Sequence, residues 1–256
     1  MSNLQASNDS FKYDDLKHAV ETIDREIETL EILKNNLDGN LSKALDLLQN
    51  TKGRVIVTGM GKSGHIARKM AATFASTGTV SFFVHPAEAS HGDLGMISDD
   101  DVIIAISYSG ESKELSDILI YAKRHNIPLI AITRNPQSAL GKNSSLVLKL
   151  PDNGEACPLG LAPTSSTTAT IVLGDVLAVD LMERRGFSAT DFRQRHPGGK
   201  LGAILCKVSD IMHKGDDVPL LKEDAIMQDA LLVMSEKMLG CVGIVDNDGH
   251  LSGIIT

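Results

Sequence analysis

Tryptophan is absent from this 256-residue chain and only 4% of its residues are aromatic, so an aromatic platform for stacking a sugar ring or a base is not expected. Clustered basic residues are missing too. The 25 Lys and Arg stand against 33 Asp and Glu, a formal net charge of −8 that excludes a phosphate-tracking nucleic-acid surface. Cysteine is scarce: Cys157, Cys206 and Cys241 are odd in number, far apart and match no zinc spacing, which fits thiols in a reducing compartment better than a disulfide framework. No apolar run is long enough to cross a bilayer, and the polar stretch Met1–Ser10 lacks the core of a signal peptide. These absences point to a cytoplasmic protein with no nucleic-acid and no membrane partner, whose ligand recognition is polar. With 42% hydrophobic residues, there is material for one sizeable domain and part of another.

The most informative segment that is present runs from Ile104 to Glu114, IAISYSGESKE. It places Ser107, Ser109, Gly110 and Ser112 where an apolar strand ends and a helical pattern begins. Backbone N–H groups, hydroxyls and the positive end of a helix dipole then converge, a combination that holds phosphate. Glu111 and Glu114 follow at once, leaving carboxylates near whatever the phosphate anchors, which favours a sugar phosphate over a nucleotide.

Apolar residues from Leu16 to Leu37 recur at spacings of three and four, one face of a long amphipathic helix that Gly39-Asn40 is expected to end; a shorter helix follows over Leu41–Gln49. The apolar face of the long helix suits either capping of the domain that follows or packing on a second subunit, and an oligomer contact is the expectation. The runs Val55–Val57, Val80–Val84, Val102–Ile106, Pro128–Ile132 and Leu146–Leu150 alternate with helical pattern and predict an α/β fold, a five-stranded parallel sheet flanked by helices on both faces. Ligands of such sheets bind at the carboxyl ends of the strands, where Gly59–Gly64, His85–His91 and Ser107–Ser112 fall. Thr164–Arg185 reads as a helix whose opening hydroxyls, Ser165, Ser166 and Thr167 among them, reach the same rim. Beyond His196-Pro-Gly-Gly199 the texture changes: Val208–Met212, Ala225–Met238, Cys241–Asp246 and His250–Ile255 predict a β-α-β-β module with a hairpin turn at Asn247–Gly249. The expected organisation is a helical segment over 1–50, a sheet domain over 51–203 and an incomplete α+β module over 207–256 that continues beyond Thr256.

Gly59-Met60-Gly61-Lys62-Ser63-Gly64 matches G-x-G-x-x-G, yet the tip of the next strand is Val84-His85-Pro86, without the acid a dinucleotide site needs. A Walker A loop fails because Ile56 stands where its first glycine belongs. What remains is a glycine turn that brings backbone and Lys62 to a ligand. Glu114, Glu155 and His196 are the acid/base candidates, since an aldose–ketose isomerase needs one carboxylate to move a proton between adjacent carbons. His85 and His91, six apart across Pro86, make at best an incidental metal pair.

Longer blocks carry a resemblance. Gly59–His65, Phe82–Met96 (FFVHPAEASHGDLGM), Ala105–Ser112, Glu155–Thr170 (EACPLGLAPTSSTTAT) and Arg195–Gly202 (RHPGGKLG) closely resemble the bacterial D-arabinose 5-phosphate isomerases, in which a sugar-isomerase (SIS) domain precedes a pair of CBS motifs. The resemblance implies the SIS fold and interconversion of D-ribulose 5-phosphate and D-arabinose 5-phosphate through a cis-enediol, supplying Kdo for lipopolysaccharide. It assigns catalytic relevance to Lys62, Glu114, Glu155 and His196, the last reaching in from another subunit. It assigns substrate binding to Gly78, Thr79, His85 and His91, with phosphate held by Ser107, Ser109, Gly110, Ser112, Ser165, Ser166 and Thr167. No cofactor is implied; zinc at His85 would act as an inhibitor. A homotetramer and a nucleotide-type ligand at the CBS module are further implications. Tyr108 departs from the Asn common in relatives, and Ala87 from the usual Gly. The rival readings are a phosphoheptose-type isomerase, disfavoured by the CBS module and HPGGKLG block, and a SIS regulator that senses a sugar phosphate without turnover.

Overall fold

Strand residues of the sheet domain sort by parity, as a pleat with both faces covered requires. In β1 (Val55–Gly59), β3 (Val102–Ile106) and β4 (Leu129–Thr133), the side chains of Val55, Val57, Ile104, Ile106, Ile130 and Ile132 enter one core, and those of Ile56, Ile103, Ala105, Leu129 and Ala131 the other. With β2 (Ser81–Phe83) and β5 (Leu146–Lys149) they form a five-stranded, all-parallel sheet in the order β2-β1-β3-β4-β5. The computed structural model describes residues 15–196 and 208–256, and the chain divides into two compact units, Met1–Pro197 and Gly198–Thr256. Met1–Ser10, most of the HPGGKLG block and Cys206 lie outside the described residues.

The first core is closed by α2 (Gly39–Asn50), α3 (Lys62–Ser76) and α7 (Ser165–Arg184), the second by α4 (Pro86–Ala89), α5 (Ser116–His125) and α6 (Ala139–Lys142). By length and composition α7 is apolar enough to cross a membrane, a feature the sequence reading did not register. Half of it is buried in the protein, through Ala169, Leu173, Leu177, Ala178 and Leu181. Helices α3 and α7 pack closely: a Cβ on Gly174 would sit 2.5 Å from Met70 Cε, and Lys69 pairs with Asp175 beside that contact. Helix α7 runs antiparallel to the strands: its start, Ser166 and Thr167, lies beside Lys62 at their carboxyl edge, and Arg185, about 30 Å away, bonds Thr79 at the amino edge.

Helix α1 (Asp15–Asn35) packs on α7 through its second half, where Thr29 and Leu33 are buried, while Leu16, Val20, Ile23 and Ile27 remain exposed. Gly39-Asn40 opens α2 instead of ending α1: α1 stops at Asn35, and Asp38 caps α2 by accepting from Asn40 N at 2.8 Å. At the amino edge of the sheet, the buried Asp101 carboxylate accepts from Arg54 N, Nε and Nη2 and from Ser98 N. Burial raises its pKa, but these bonds outweigh burial and hold it below the ordinary 3.8. A carboxyl depressed in the folded state stabilises the fold above its unfolded pKa, and the contribution fades as pH falls through the native value. Asp101→Asn is expected to lower the thermal midpoint at neutral pH and to flatten the acid limb of a stability–pH curve; an unchanged acid limb would assign that loss to other groups.

The second unit holds α9 (Val208–Ile211), β6 (Leu220–Lys222), α10 (Met227–Lys237), β7 (Val242–Val245) and β8 (Leu251–Ile255). Strand β6 pairs parallel to β7, and β7 antiparallel to β8. This corrects the predicted module in one place. Val208–Ile211 is a helical turn and the first strand is Leu220–Lys222, a run too short to show alternation. The hairpin turn is as expected, with Asp246 Oδ1 accepting from Asp248 N and His250 N and Gly249 at φ +82°.

Candidate active site

Three loops and a helix start meet at the carboxyl edge of the sheet. After β1 the chain turns at Gly61, at φ +58° and ψ −127°, a conformation for which only glycine is suited. Helix α3 then begins at Lys62 without a side-chain cap, so no side chain covers the positive end of its dipole. Lys62 and Ser63 line a cavity of about 240 Å³ together with Tyr108, Pro163, Ser166 and Thr167. From the predicted set, this brings together Lys62, Ser166 and Thr167. It adds Ser63, which was not among the expected site residues, and places Tyr108, the departure from the family's Asn, on the cavity wall.

The loop after β3 is organised by its own hydroxyls. Ser107 Oγ lies 2.9 Å from Ser112 Oγ and accepts from Gly110 N at 3.1 Å, while Ser109 Oγ accepts from Glu111 N at 3.2 Å. Gly110 has φ +75° and packs on Ser138. Ser107 is buried, Ser109 exposed, and among this loop's residues Tyr108 is the one that lines the Lys62 cavity. Glu114 is exposed on the short turn Lys113–Leu115 and lines neither this cavity nor the one beside Glu155.

Glu155 is half-buried and holds the start of α7. Its Oε2 accepts from Thr164 N at 2.8 Å, Ser166 N at 3.1 Å and Thr164 Oγ1 at 3.3 Å. Because the loop folds back onto the helix start, the Glu155 carboxylate takes the N–H groups there, and the hydroxyls of Ser166 and Thr167 are what α7 presents to the Lys62 cavity. Oε1 takes no bond among the described residues. Glu155 opens onto a second cavity of about 300 Å³, shared with Arg25, Glu28, Asn153 and Ser165. Lys62 and Glu155 therefore line two adjoining cavities, separated by the neighbours Ser165 and Ser166.

His85 follows β2 on the same edge. Its Nδ1 accepts from Ala87 N at 3.3 Å, its ring sits edge-on to Phe83, and α4 packs against the turn carrying Glu114. One ring nitrogen, Nε2, is left for a ligand, fewer donors than the four zinc normally takes. His91 is exposed and forms no three-ligand group with His85; the one such group among the described residues is Asp246, Asp248 and His250 of the hairpin.

Gly78, Thr79 and His196 lie elsewhere. Gly78 and Thr79 precede β2 and sit at the amino edge of the sheet, where a Cβ on Gly78 would meet Phe187 at 2.6 Å and Thr79 Oγ1 accepts from Arg185 Nη1 at 2.8 Å. His196 ends α8 (Ala189–Arg195) on the same side, stacked on Phe192, with the neighbouring Arg195 over Phe187. The length of α7 separates these three from Lys62 in one chain, a separation that sequence motifs cannot show.

Residues 47–180 match the SIS domain family and residues 208–256 the CBS domain family. Among curated proteins, the arabinose 5-phosphate isomerase KdsD of Francisella tularensis is 54% identical over 245 residues, covering 94% of this chain and 75% of that protein. KdsD of Escherichia coli K12 is 53% identical over 232 residues, 90% of this chain and 71% of its own length. Among solved structures, an E. coli CFT073 protein in complex with arabinose 5-phosphate superposes with a TM-score of 0.69 at 43% identity, over 72% of this chain and 98% of that one. Agreement in sequence over nine-tenths of the length, in sheet topology and in the succession of two modules has one explanation: the chain belongs to the arabinose 5-phosphate isomerase family, with a SIS domain followed by a CBS domain.

Proposed function

We propose that this protein is an aldose–ketose isomerase interconverting D-ribulose 5-phosphate and D-arabinose 5-phosphate. The observation that carries the reading is the pairing of the Lys62–Ser166–Thr167 cavity with an adjoining carboxylate, Glu155, in a chain half identical to KdsD proteins. Glu155 takes the proton from C1 of the ketose and returns it to C2 of the cis-enediol, so no net proton is gained or lost. Its anchored Oε2 leaves Oε1 as the basic oxygen. Lys62 and the uncapped start of α3 stabilise the enediolate oxygen. The phosphate is held by Ser109, Ser112, Ser166 and Thr167. Zinc has no step here; at His85 it is an exchangeable inhibitor bound through Nε2.

A single chain does not complete this site. The 240 Å³ cavity is below the roughly 300–1,000 Å³ of small-molecule sites, and Gly78, Thr79 and His196 lie at the far end of α7. The reading therefore includes a homo-oligomer in which His196 of one copy serves the rim of another, opening the furanose or moving a hydroxyl proton. A tetramer, the cytoplasm as its location, Kdo supply as the use of its product and a nucleotide-type ligand at the CBS module belong to the same proposal.

Incubation with ribulose 5-phosphate, with and without chelator, tests the reaction. Arabinose 5-phosphate is expected in both arms, and a 1:1 mixture of inactive Lys62→Ala and His196→Ala proteins is expected to regain part of the activity after reassembly. Absence of product from the wild type would favour a sensor over an enzyme, and a silent mixture would place His196 outside a shared site.

A further inference from the structure

We infer that Tyr108 and Arg134 form a strut that positions Glu155, an inference that rests on the isomerase reading and deepens it. The two residues stand at the tips of adjacent strands β3 and β4, tied by Arg134 N donating to Tyr108 O at 3.0 Å and Thr133 Oγ1 to the same carbonyl at 3.1 Å. Both then reach to the loop that leaves β5. Tyr108 Oη donates to Pro151 O at 3.2 Å, and Arg134 Nη1 pairs with Asp152 Oδ1 at 2.6 Å. The guanidinium lies 5.2 Å from the centre of the Tyr108 ring. Three residues beyond Asp152 the loop delivers Glu155, whose far side is fixed by the α7 start. Asn153 Nδ2, donating to Thr29 Oγ1 at 2.9 Å, makes the third anchor.

Two features separate this role from general stabilisation. The Arg134–Asp152 pair is largely exposed, at 41% and 55%, a setting in which ion pairs add little to fold stability. The Tyr108 ring meanwhile walls the Lys62 cavity, so the side chain that holds Pro151, at the base of the Glu155 loop, also bounds the space that Lys62 lines. Burial, reinforced by the charges of Asp152 and Glu155, raises the phenol pKa above 10.0 and keeps Tyr108 a hydrogen-bond donor at neutral pH.

The strut is tested with Tyr108→Phe, which keeps the wall, and Arg134→Gln, with Arg134→Lys as the conservative control. Each of the first two is expected to lower kcat about five- to tenfold with KM within about twofold and the thermal midpoint nearly unchanged, while Arg134→Lys regains most of the loss. In a Glu155→Asp background, where the carboxylate is already withdrawn, the same changes are expected to cost less than about twofold more. Amide exchange at Glu155 and Ala156 is expected to quicken about tenfold while the sheet stays protected. Unchanged kcat in the wild-type background, multiplicative losses in the Glu155→Asp background, or unchanged exchange each overturn the strut. A wild-type protein that does not turn over ribulose 5-phosphate overturns the isomerase reading instead, and exchange, which needs no turnover, still decides whether the strut holds the loop.

Discussion

Glu155→Gln is expected to lose turnover by about a hundred- to ten-thousandfold while binding arabinose 5-phosphate within about threefold of wild type. The argument turns on the two jobs the side chain performs. Its Oε2 accepts from Thr164 N and Ser166 N, which secures the start of α7 and the wall between the two cavities. A Gln carbonyl oxygen can accept the same bonds but cannot take a proton from carbon, so Gln removes the base and leaves the helix start in place. Glu155→Ala removes both, and loss of a helix-start acceptor costs about 0.5–2 kcal/mol, or a few degrees in the melting temperature of a domain this size. The pair is therefore expected to share the kinetic defect and to differ in stability. Assays of both variants beside thermal melts make the comparison, and full turnover by Glu155→Gln would reduce Glu155 to a cap.

Gly110→Ala is expected to be the most damaging single methyl group in the strand-tip loop. Gly110 sits at φ +75°, which L-residues rarely adopt, and its added Cβ would lie 1.9 Å from Ser138 Oγ and 2.9 Å from Thr133 Oγ1. Ser138 cannot retreat freely, because its Oγ accepts from Gly141 N and donates to Asn135 O, capping α6. Backbone strain of about 1–3 kcal/mol and overpacking of similar size combine, so a drop of roughly 6–12 °C in melting temperature is expected, with activity lost at temperatures where the fold survives. The same loop supplies Ser109 and Ser112 to the phosphate in the proposed function and places Tyr108 on the cavity wall. A Gly110→Ala protein with wild-type melting would mean that the loop relaxes around the methyl group at little cost.

How far the sequence could be read depended on the range of the interactions. All five strands of the sheet are where the β-branched runs placed them, because a strand covered on both faces needs continuous apolar residues and little else has that pattern. The second unit was harder. Leu220–Lys222 is only three residues long, and Val208–Ile211 has strand-like composition but closes as one helical turn. Site residues divided the same way. The G-x-G-x-x-G turn and the Thr164–Thr167 start of α7 could be placed on a rim from local pattern, and they do flank one cavity. Arg134 and Asp152, eighteen residues apart and unremarkable in type, had no local signal, and their pairing with Tyr108 depends on how β3, β4 and β5 lie side by side.

By itself, then, the order of residues determined a parallel α/β sheet, its carboxyl-edge loops, the family and the reaction class, since each is written in short-range periodicity or in contiguous motifs. Tertiary structure alone decided that Glu155 binds the start of α7, that Lys62 and Glu155 open onto adjoining cavities, and that Gly78, Thr79 and His196 lie at the far end of α7 from Lys62. Those outcomes follow from the packing of a 20-residue helix antiparallel to the sheet, which carries its two ends to opposite edges, and no local stretch of sequence encodes that direction.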